Sequence, residues 1–462
     1  MNETKNWSPN SAEARDLAYH IHPYTNPAQL AEAGPHVIKS GKGIYVYDND
    51  GNQFIEGVSG LWCTSLGFSE EALIEAVIGQ MRKLPYYHSF GGKTSNPSID
   101  LAEMLISIAP TGLEKAFFCN SGSEANDTAV KMVWYYQASQ GRPEKKKIIS
   151  RKKGYHGVTV AAASLTGLSY AQDGFALPLD FAKHTSSPHF FADSLDLETE
   201  EDFVIRIISE LEELIQEEGA HNIGAFIAEP VMGAGGVIIP PKGYFEALQK
   251  VLKKHSILLI ADEVICGFGR TGNMWGSQTF GLKPDILTCA KALSSAYLPI
   301  SAVLVSSDVV QGVEQQASKL GIFGHGYTYS AHPVSAAVAL RTLELMKERK
   351  IVDHVKKVSR KFCERVHQLS KYRCIGETRA VGLIGAMEFV AIPDSRIKPD
   401  PTLKFAAKVQ KLIQNEGVIL RALPGDSIGF CPPLIISEKE IDKMFDAVER
   451  VMPKADKMVC EQ

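Results

Sequence analysis

Residues 257–272 read Ile257-Leu258-Leu259-Ile260-Ala261-Asp262-Glu263-Val264-Ile265-Cys266-Gly267-Phe268-Gly269-Arg270-Thr271-Gly272. Five apolar residues without polar alternation, stopped by an acid, describe a strand buried on both faces. The same signature recurs at Ala116–Cys119, Lys147–Ser150, Gly224–Ala228, Asp285–Ala290 and Ile300–Ser306, with helical periodicity at 70–83, 98–108 and 202–218. Buried strands alternating with helices predict an α/β chain around a mostly parallel sheet covered on both faces. Outward from this centre, 43–68 reads as short strands around the hairpin signal Asp48-Asn49-Asp50-Gly51. The first twenty-odd residues show no apolar period and read as an arm. After Pro333 come two helical stretches (334–348 and 351–370), an alternating segment at 382–390, a helix at 402–415 and a strand at 418–424.

The 462 residues correspond to roughly three domains of ordinary size. A formal charge of −4 gives no general electrostatic reason to bind nucleic acid or an anionic membrane. The basic stretches Lys145–Lys147 and Arg151–Lys153 lack interleaved aromatics and read as a solvated edge. Eight cysteines contain no C-x-x-C pair and several sit in apolar runs, which predicts buried, reduced thiols. The N-terminus lacks a basic region leading into an apolar one, and no apolar run is long enough to span a bilayer. A soluble cytoplasmic protein is expected, with no metal.

Gly267–Gly272 fits G-x-G-x-x-G, but the run enters a loop-like sequence and its acids precede the glycines, against a dinucleotide fold. Gly91–Thr94 fails as a P-loop because Tyr87 occupies the first glycine position. Asn120–Ala125 follows a buried strand and opens a helix; it reads either as a phosphate cup or as an ordinary N-cap. Asp262 and Lys291 each close a buried apolar run, where a charge is costly unless paired or used. Separately each has a structural reading. Together with the cup they match the needs of pyridoxal phosphate: an amine for its aldehyde, a carboxylate for its pyridine nitrogen and a helix N-terminus for its phosphate.

The ordered segments 60–63 (GLWC), 120–127 (NSGSEAND), 154–157 (GYHG), 228–236 (AEPVMGAGG), 261–272, 290–302 (AKALSSAYLPISA) and 325–333 (HGYTYSAHP) cover nearly all of the chain. Through them the sequence resembles the class III (omega) aminotransferases of pyridoxal-phosphate fold type I, especially those pairing amines or omega-amino acids with pyruvate. The resemblance implies a large cofactor domain at 70–333 and a smaller α+β domain built from both chain ends, with 1–69 as arm and part of that domain and 334–462 as the rest. It implies that Lys291 binds the cofactor covalently and shuttles a proton, and that Asp262 pairs with the ring nitrogen. Ser121, Gly122 and Ser123 would hold the phosphate, Tyr155 and Val264 the two ring faces, His156 would support Asp262, and Glu229 would approach the phenolic oxygen. Thr328 would reach the phosphate of a neighbouring subunit in a homodimer.

Trp62, Phe90, Tyr155 and Arg421 would line the substrate pocket, Arg421 pairing with the keto acid's carboxylate. Ala292 and Ala296 stand where many members carry glycine, which predicts a narrower site. The implied reaction is ping-pong transamination. An aminomutase or decarboxylase would keep Lys291 and Asp262, so these residues leave that alternative open. A non-catalytic regulator would need an appended DNA-binding segment, and the short, non-basic N-terminal extension offers none.

Overall fold

A computed structural model describes residues 7–460; the first six residues of the arm, and the reading of Cys460 as a buried thiol, lie outside the described residues and side chains. A seven-stranded sheet runs through the middle of the chain. Its spatial order is Leu113–Cys119, Ser301–Ser306, Ile286–Cys289, Leu258–Asp262, Ile223–Ala228, Lys147–Arg151 and Ala182–Thr185. Ser301–Ser306 alone runs antiparallel to its neighbours. The chain returns to it through residues 290–300, which hold a single 3-10 turn, Lys291–Ser294. That is too short for the crossover helix a parallel return requires. Ala182–Thr185 was not legible as a strand: Ala-Lys-His-Thr lies at the sheet edge and carries no apolar run.

The interior strands are apolar because helices cover both sides. Gly122–Ser139 and Ser307–Leu320 bury Ala125, Ala129, Val133, Val309 and Val310 against one face. Glu200–Glu218 and Tyr244–Lys254 bury Phe203, Ile207, Leu211 and Leu248 against the other. Six strands share one direction, so their carboxyl ends open on one side of the molecule, where ligands of α/β sheets sit.

The solvated-edge reading of the basic stretches holds for the exposed Lys146 and Lys152 and fails at Lys145 and Arg151. Lys145 is buried, and its ammonium donates to His255 O (3.1 Å) and Ser256 O (3.0 Å). Arg151 is fully buried and donates to Glu229 O at 2.6 Å. The strand between them pairs on both sides, so charged residues at its ends turn inward onto backbone carbonyls.

The chain ends meet in a second sheet. The hairpin Tyr45–Asp48/Gln53–Glu56 forms as the turn sequence predicts, with Asp48 Oδ1 accepting from the amides of Asp50 and Asn52. Val418–Ile419 then pairs parallel with Gln53–Glu56. A third, antiparallel sheet holds Ile375–Val381, Ile384–Phe389, Ser427–Phe430 and Arg421–Leu423. The segment expected at 418–424 is therefore split at Leu420 between two sheets. Ile384–Phe389 is buried at every position instead of on alternate ones. The helix Ile351–Gln368 lies on it, and Glu388 is held inside by Arg379, Lys398 and His189. In the arm, Ala12–Tyr19 is a helix without buried residues. Among the described residues, no helix is long and apolar enough to cross a membrane.

Candidate active site

Asn120–Ser123 joins the strand Leu113–Cys119 to the helix Gly122–Ser139. Ser121 caps that helix, its hydroxyl accepting from Glu124 N at 3.2 Å. Glu124 returns its carboxylate to the Asn120 amide at 2.7 Å. The cap thus uses Ser121 and Glu124 and leaves the Gly122 and Ser123 amides at the positive end of the helix without intrahelical acceptors. The N-cap reading is seen directly, and the free amides leave the segment able to serve as a phosphate cup. Gly157, at φ +134°, closes the cup: a Cβ there would stand 2.4 Å from Ser123 Oγ. The Val158 amide donates to that same hydroxyl at 3.0 Å.

Asp262, at the carboxyl end of its strand and 3% exposed, is held from three sides. His156 Nδ1 lies 2.8 Å and Asn126 Nδ2 2.9 Å from its Oδ2, and the Val264 amide donates to Oδ1 at 3.1 Å. Asn126 also donates to His156 O (2.6 Å) and accepts from Thr288 Oγ1 (2.8 Å), so it ties helix, loop and two strands to one carboxylate. No sequence signal marked Asn126. His156 Nε2 is buried without a partner.

Lys291 follows the next strand in a left-handed conformation, φ +48°. Burial pushes its pKa below the usual lysine value, the Asp262 and Glu229 carboxylates opposing the shift. That favours a neutral amine, the nucleophilic form. Glu229 is buried, and burial raises its pKa. Its two oxygens accept from the Tyr155 amide and the Gly233 amide, each at 3.0 Å.

One cavity gathers Gly122, Ser123, Tyr155, His156, Glu229, Asp262, Val264 and Lys291 with Trp62 and Arg421. Its lining also includes Tyr24, Leu61, Asn126, Tyr170 and Ala234, which sequence reasoning missed because loops supply most of them. The Arg421 guanidinium makes no hydrogen bond or ion pair among the described residues and lines the cavity with the aromatic side chains of Trp62, Tyr24, Tyr155 and Tyr170. Three expected residues stand apart. Ser121 is committed to its cap, while Phe90 and Thr328 are exposed and do not line this chain's cavity. Ala292 and Ala296 do not line it either; Ala292 is buried in the core, and Ala296 is exposed at φ +64°. Two clusters bring metal-capable groups together, Asp16/His20/His22 and His189/Glu377/Glu388. In the first the carboxylate already bridges both imidazoles, and in the second Arg379 engages both carboxylates.

An unpartnered lysine amine, a buried carboxylate and a helix N-terminus with free amides and a hydroxyl converge on one cavity. The donor set fits pyridoxal phosphate.

The comparisons agree with the geometry. The profile of the aminotransferase class-III family matches residues 28–452. Gamma aminobutyrate transaminase 1, mitochondrial, of Solanum lycopersicum is 47% identical over 440 residues, 95% of this chain and 85% of the relative. The omega transaminase of Pseudomonas jessenii, solved in complex with PMP, superposes with a TM-score of 0.95 at 47% identity, covering 97% and 99% of the two chains. A transaminase solved with L-alanine superposes with a TM-score of 0.89 at 51% identity, covering 90% and 98%. The chain belongs to the class III aminotransferases and is a pyridoxal-phosphate-dependent aminotransferase with the fold of the omega transaminases.

Proposed function

We propose that the enzyme moves an amino group from an amine or omega-amino acid to pyruvate by a ping-pong mechanism, with Arg421 receiving the acceptor's carboxylate. The observation that carries this reading is the free guanidinium of Arg421 in an otherwise aromatic and apolar wall. Such a wall suits a donor without a carboxylate, and a guanidinium can hold a carboxylate through two parallel hydrogen bonds. The L-alanine bound to one structural relative supports pyruvate, which is alanine's keto acid. The gamma-aminobutyrate named for the plant relatives supports an omega-amino acid among the donors.

Pyridoxal phosphate, when bound, supplies a carbonyl that takes up the amino group and a ring that accepts electrons. Lys291 Nζ, held near the neutral form by burial, would be the amine that holds the cofactor's aldehyde, with the aldehyde oxygen leaving as water, and once displaced by substrate it would be the base that moves a proton. Asp262, fixed by Asn126 and His156, would keep the ring nitrogen protonated. Gly122 and Ser123 would hold the phosphate, and Tyr155 and Val264 would pack against the ring. Glu229 fixes the backbone of Tyr155 and the Gly233 turn, and would face the cofactor's phenolic side.

The active unit in this reading is a homodimer. Thr328 is exposed and its carbonyl accepts from Tyr86 Oη at 2.8 Å, while Phe90 packs beside Gly326. The exposed aromatics Tyr86, Tyr87, Phe90 and Tyr329 around them support a partner surface that delivers Thr328 and Phe90 to the neighbouring site. Residues 70–333 form the cofactor domain, and the pairing of 418–419 with 53–56 supports a smaller domain from both chain ends. Free cysteines throughout the described residues support a reducing compartment, the cytoplasm.

Arg421→Ala tests the reading. Each half-reaction is followed in a single turnover by the cofactor's absorbance. Loss of a hydrogen-bonded charge pair is worth about 1.5–3 kcal/mol, so the pyruvate half-reaction falls roughly 10- to 150-fold in apparent second-order rate. The half-reaction with an amine lacking a carboxylate changes by less than about threefold. Equal loss in both would contradict the assignment.

A further inference from the structure

The wall carrying Leu61 and Trp62 hangs from an unusual turn. Ser59 (φ +50°), Gly60 (φ +67°) and Trp62 (φ +65°) all lie in the left-handed half of backbone space. Glu56, the last residue of the strand Gln53–Glu56, is buried beneath this turn, and its carboxylate accepts the Gly60 amide. It has no ion-pair partner among the described residues. The nearest guanidinium, Arg270, is spent on Leu383 O (3.0 Å), Pro432 O (2.6 Å) and Ser59 Oγ (3.3 Å). Ser59 in turn donates to Cys431 O at 2.6 Å. Within the turn the Trp62 amide donates to Val58 O (2.8 Å) and the Cys63 amide to Ser59 O (3.0 Å); Arg270 and Cys431 fix Ser59, and among the described residues Glu56 is the acceptor of the Gly60 amide.

We propose that Glu56 is a positioning residue for substrate size: through the Gly60 amide it holds Leu61 and Trp62 against the amine pocket and so disfavours bulky donors. The inference rests on the amine reading above. An ionised carboxylate is the stronger acceptor for that amide. Burial pushes Glu56 up to about 7, against the amides and the Arg270 charge. The groups facing it are Arg270 from the loop after Asp262, Cys431 from the C-terminal part and the Gly60 and Val58 amides of its own turn. Below pH 7 the protonated group holds the turn weakly and the wall gives; above it the wall is fixed.

The experiment measures, on the holoenzyme, the ratio of kcat/KM for a branched arylalkyl amine, its nitrogen on a saturated carbon, to that for isopropylamine between pH 6 and 8.5. Both donors are ammonium ions over this range, so their own protonation largely cancels in the ratio. The parent's ratio falls several-fold as pH rises through about 7. Glu56→Gln keeps an amide oxygen for Gly60 without titrating, and its ratio is flat. Glu56→Ala raises the ratio about tenfold at all pH values, through the KM of the bulky donor. If the alanine variant does not fold, the glutamine variant decides. A break near pH 7 that persists in Glu56→Gln, or equal losses on both donors in Glu56→Ala, would overturn the proposal. Tryptophan emission, taken as the difference between the parent and a Trp62→Phe variant, follows the same break without any substrate. If that break is intact while no amine is turned over, the amine reading fails and the positioning stands; if it is absent, the positioning fails.

Discussion

Gly157→Ala probes the cup where it is tightest. The added Cβ would lie 2.4 Å from Ser123 Oγ, 2.8 Å from Ser123 Cα and 2.9 Å from Ala162 Cβ. About 1 Å must be made up before ordinary van der Waals contact is restored. The backbone at φ +134° adds strain for any residue with a Cβ. The strain costs about 1–3 kcal/mol and the overpacking about 1–3 kcal/mol more. The soft response is to push the first helical turn away, which breaks the Val158–Ser123 hydrogen bond and turns the Gly122 and Ser123 amides off the phosphate. Loss of one hydrogen bond to a charged group, about 1.5–3 kcal/mol, weakens cofactor binding roughly 10- to 150-fold. Gly174→Ala is the control, since at φ +82° it meets nothing within 4 Å and pays for strain alone. Denaturant melts of both apo-variants and absorbance titrations with pyridoxal phosphate give the two quantities. Cofactor affinity within twofold of the parent, with stability equal to that of Gly174→Ala, would refute the reasoning.

Asp262→Asn cannot hold the ring-nitrogen proton as a carboxylate does. Saturated with cofactor, it should lose about 100- to 1,000-fold in single-turnover rate, the scale of a preorganised electrostatic contact; survival within a few-fold would exclude it as the ring partner. Lys291→Ala should lose essentially all turnover while still binding cofactor non-covalently through the cup and Asp262, visible as a free-aldehyde spectrum. Burial lowers Lys145 to about 8, below the usual lysine value of 10.5. The folded state therefore binds fewer protons than the unfolded one between these limits, and stability rises with pH there. Lys145→Met should remove that rise, so the stability difference between parent and variant grows from pH 8 to 10 in urea melts.

The parts of the site legible in sequence are those whose cost is local. Asp262 and Lys291 announce themselves because a charge abutting a buried apolar run needs a reason, and the cup shows as a cap at a strand-to-helix junction. Asn126 does not, since one asparagine inside an otherwise ordinary helix becomes informative only when Asp262, 136 residues later, is brought beside it. Arg421 entered by resemblance alone: its strand is two short pieces in different sheets, and only their junction aims it at the cavity. Tyr24 and Tyr170 come from irregular segments without period. The reversed strand Ser301–Ser306 shows the same limit for the fold: its composition marks burial, while its direction is set by the shortness of the link after Lys291. Lys145 and Arg151 misled because charge suggests solvent, whereas backbone carbonyls just past a helix end (His255, Ser256) and a strand end (Glu229) accept from these buried cations.

Borohydride reduction of the holoenzyme, followed by peptide mapping, tests the central claim most directly. Reduction before substrate should leave a pyridoxyl group on Lys291 and on no other lysine. Reduction after one equivalent of amine donor should leave Lys291 unlabelled, and addition of pyruvate should restore the label while alanine accumulates. A pyridoxyl group on another lysine, or a Lys291 label unaffected by donor and acceptor, would contradict the account.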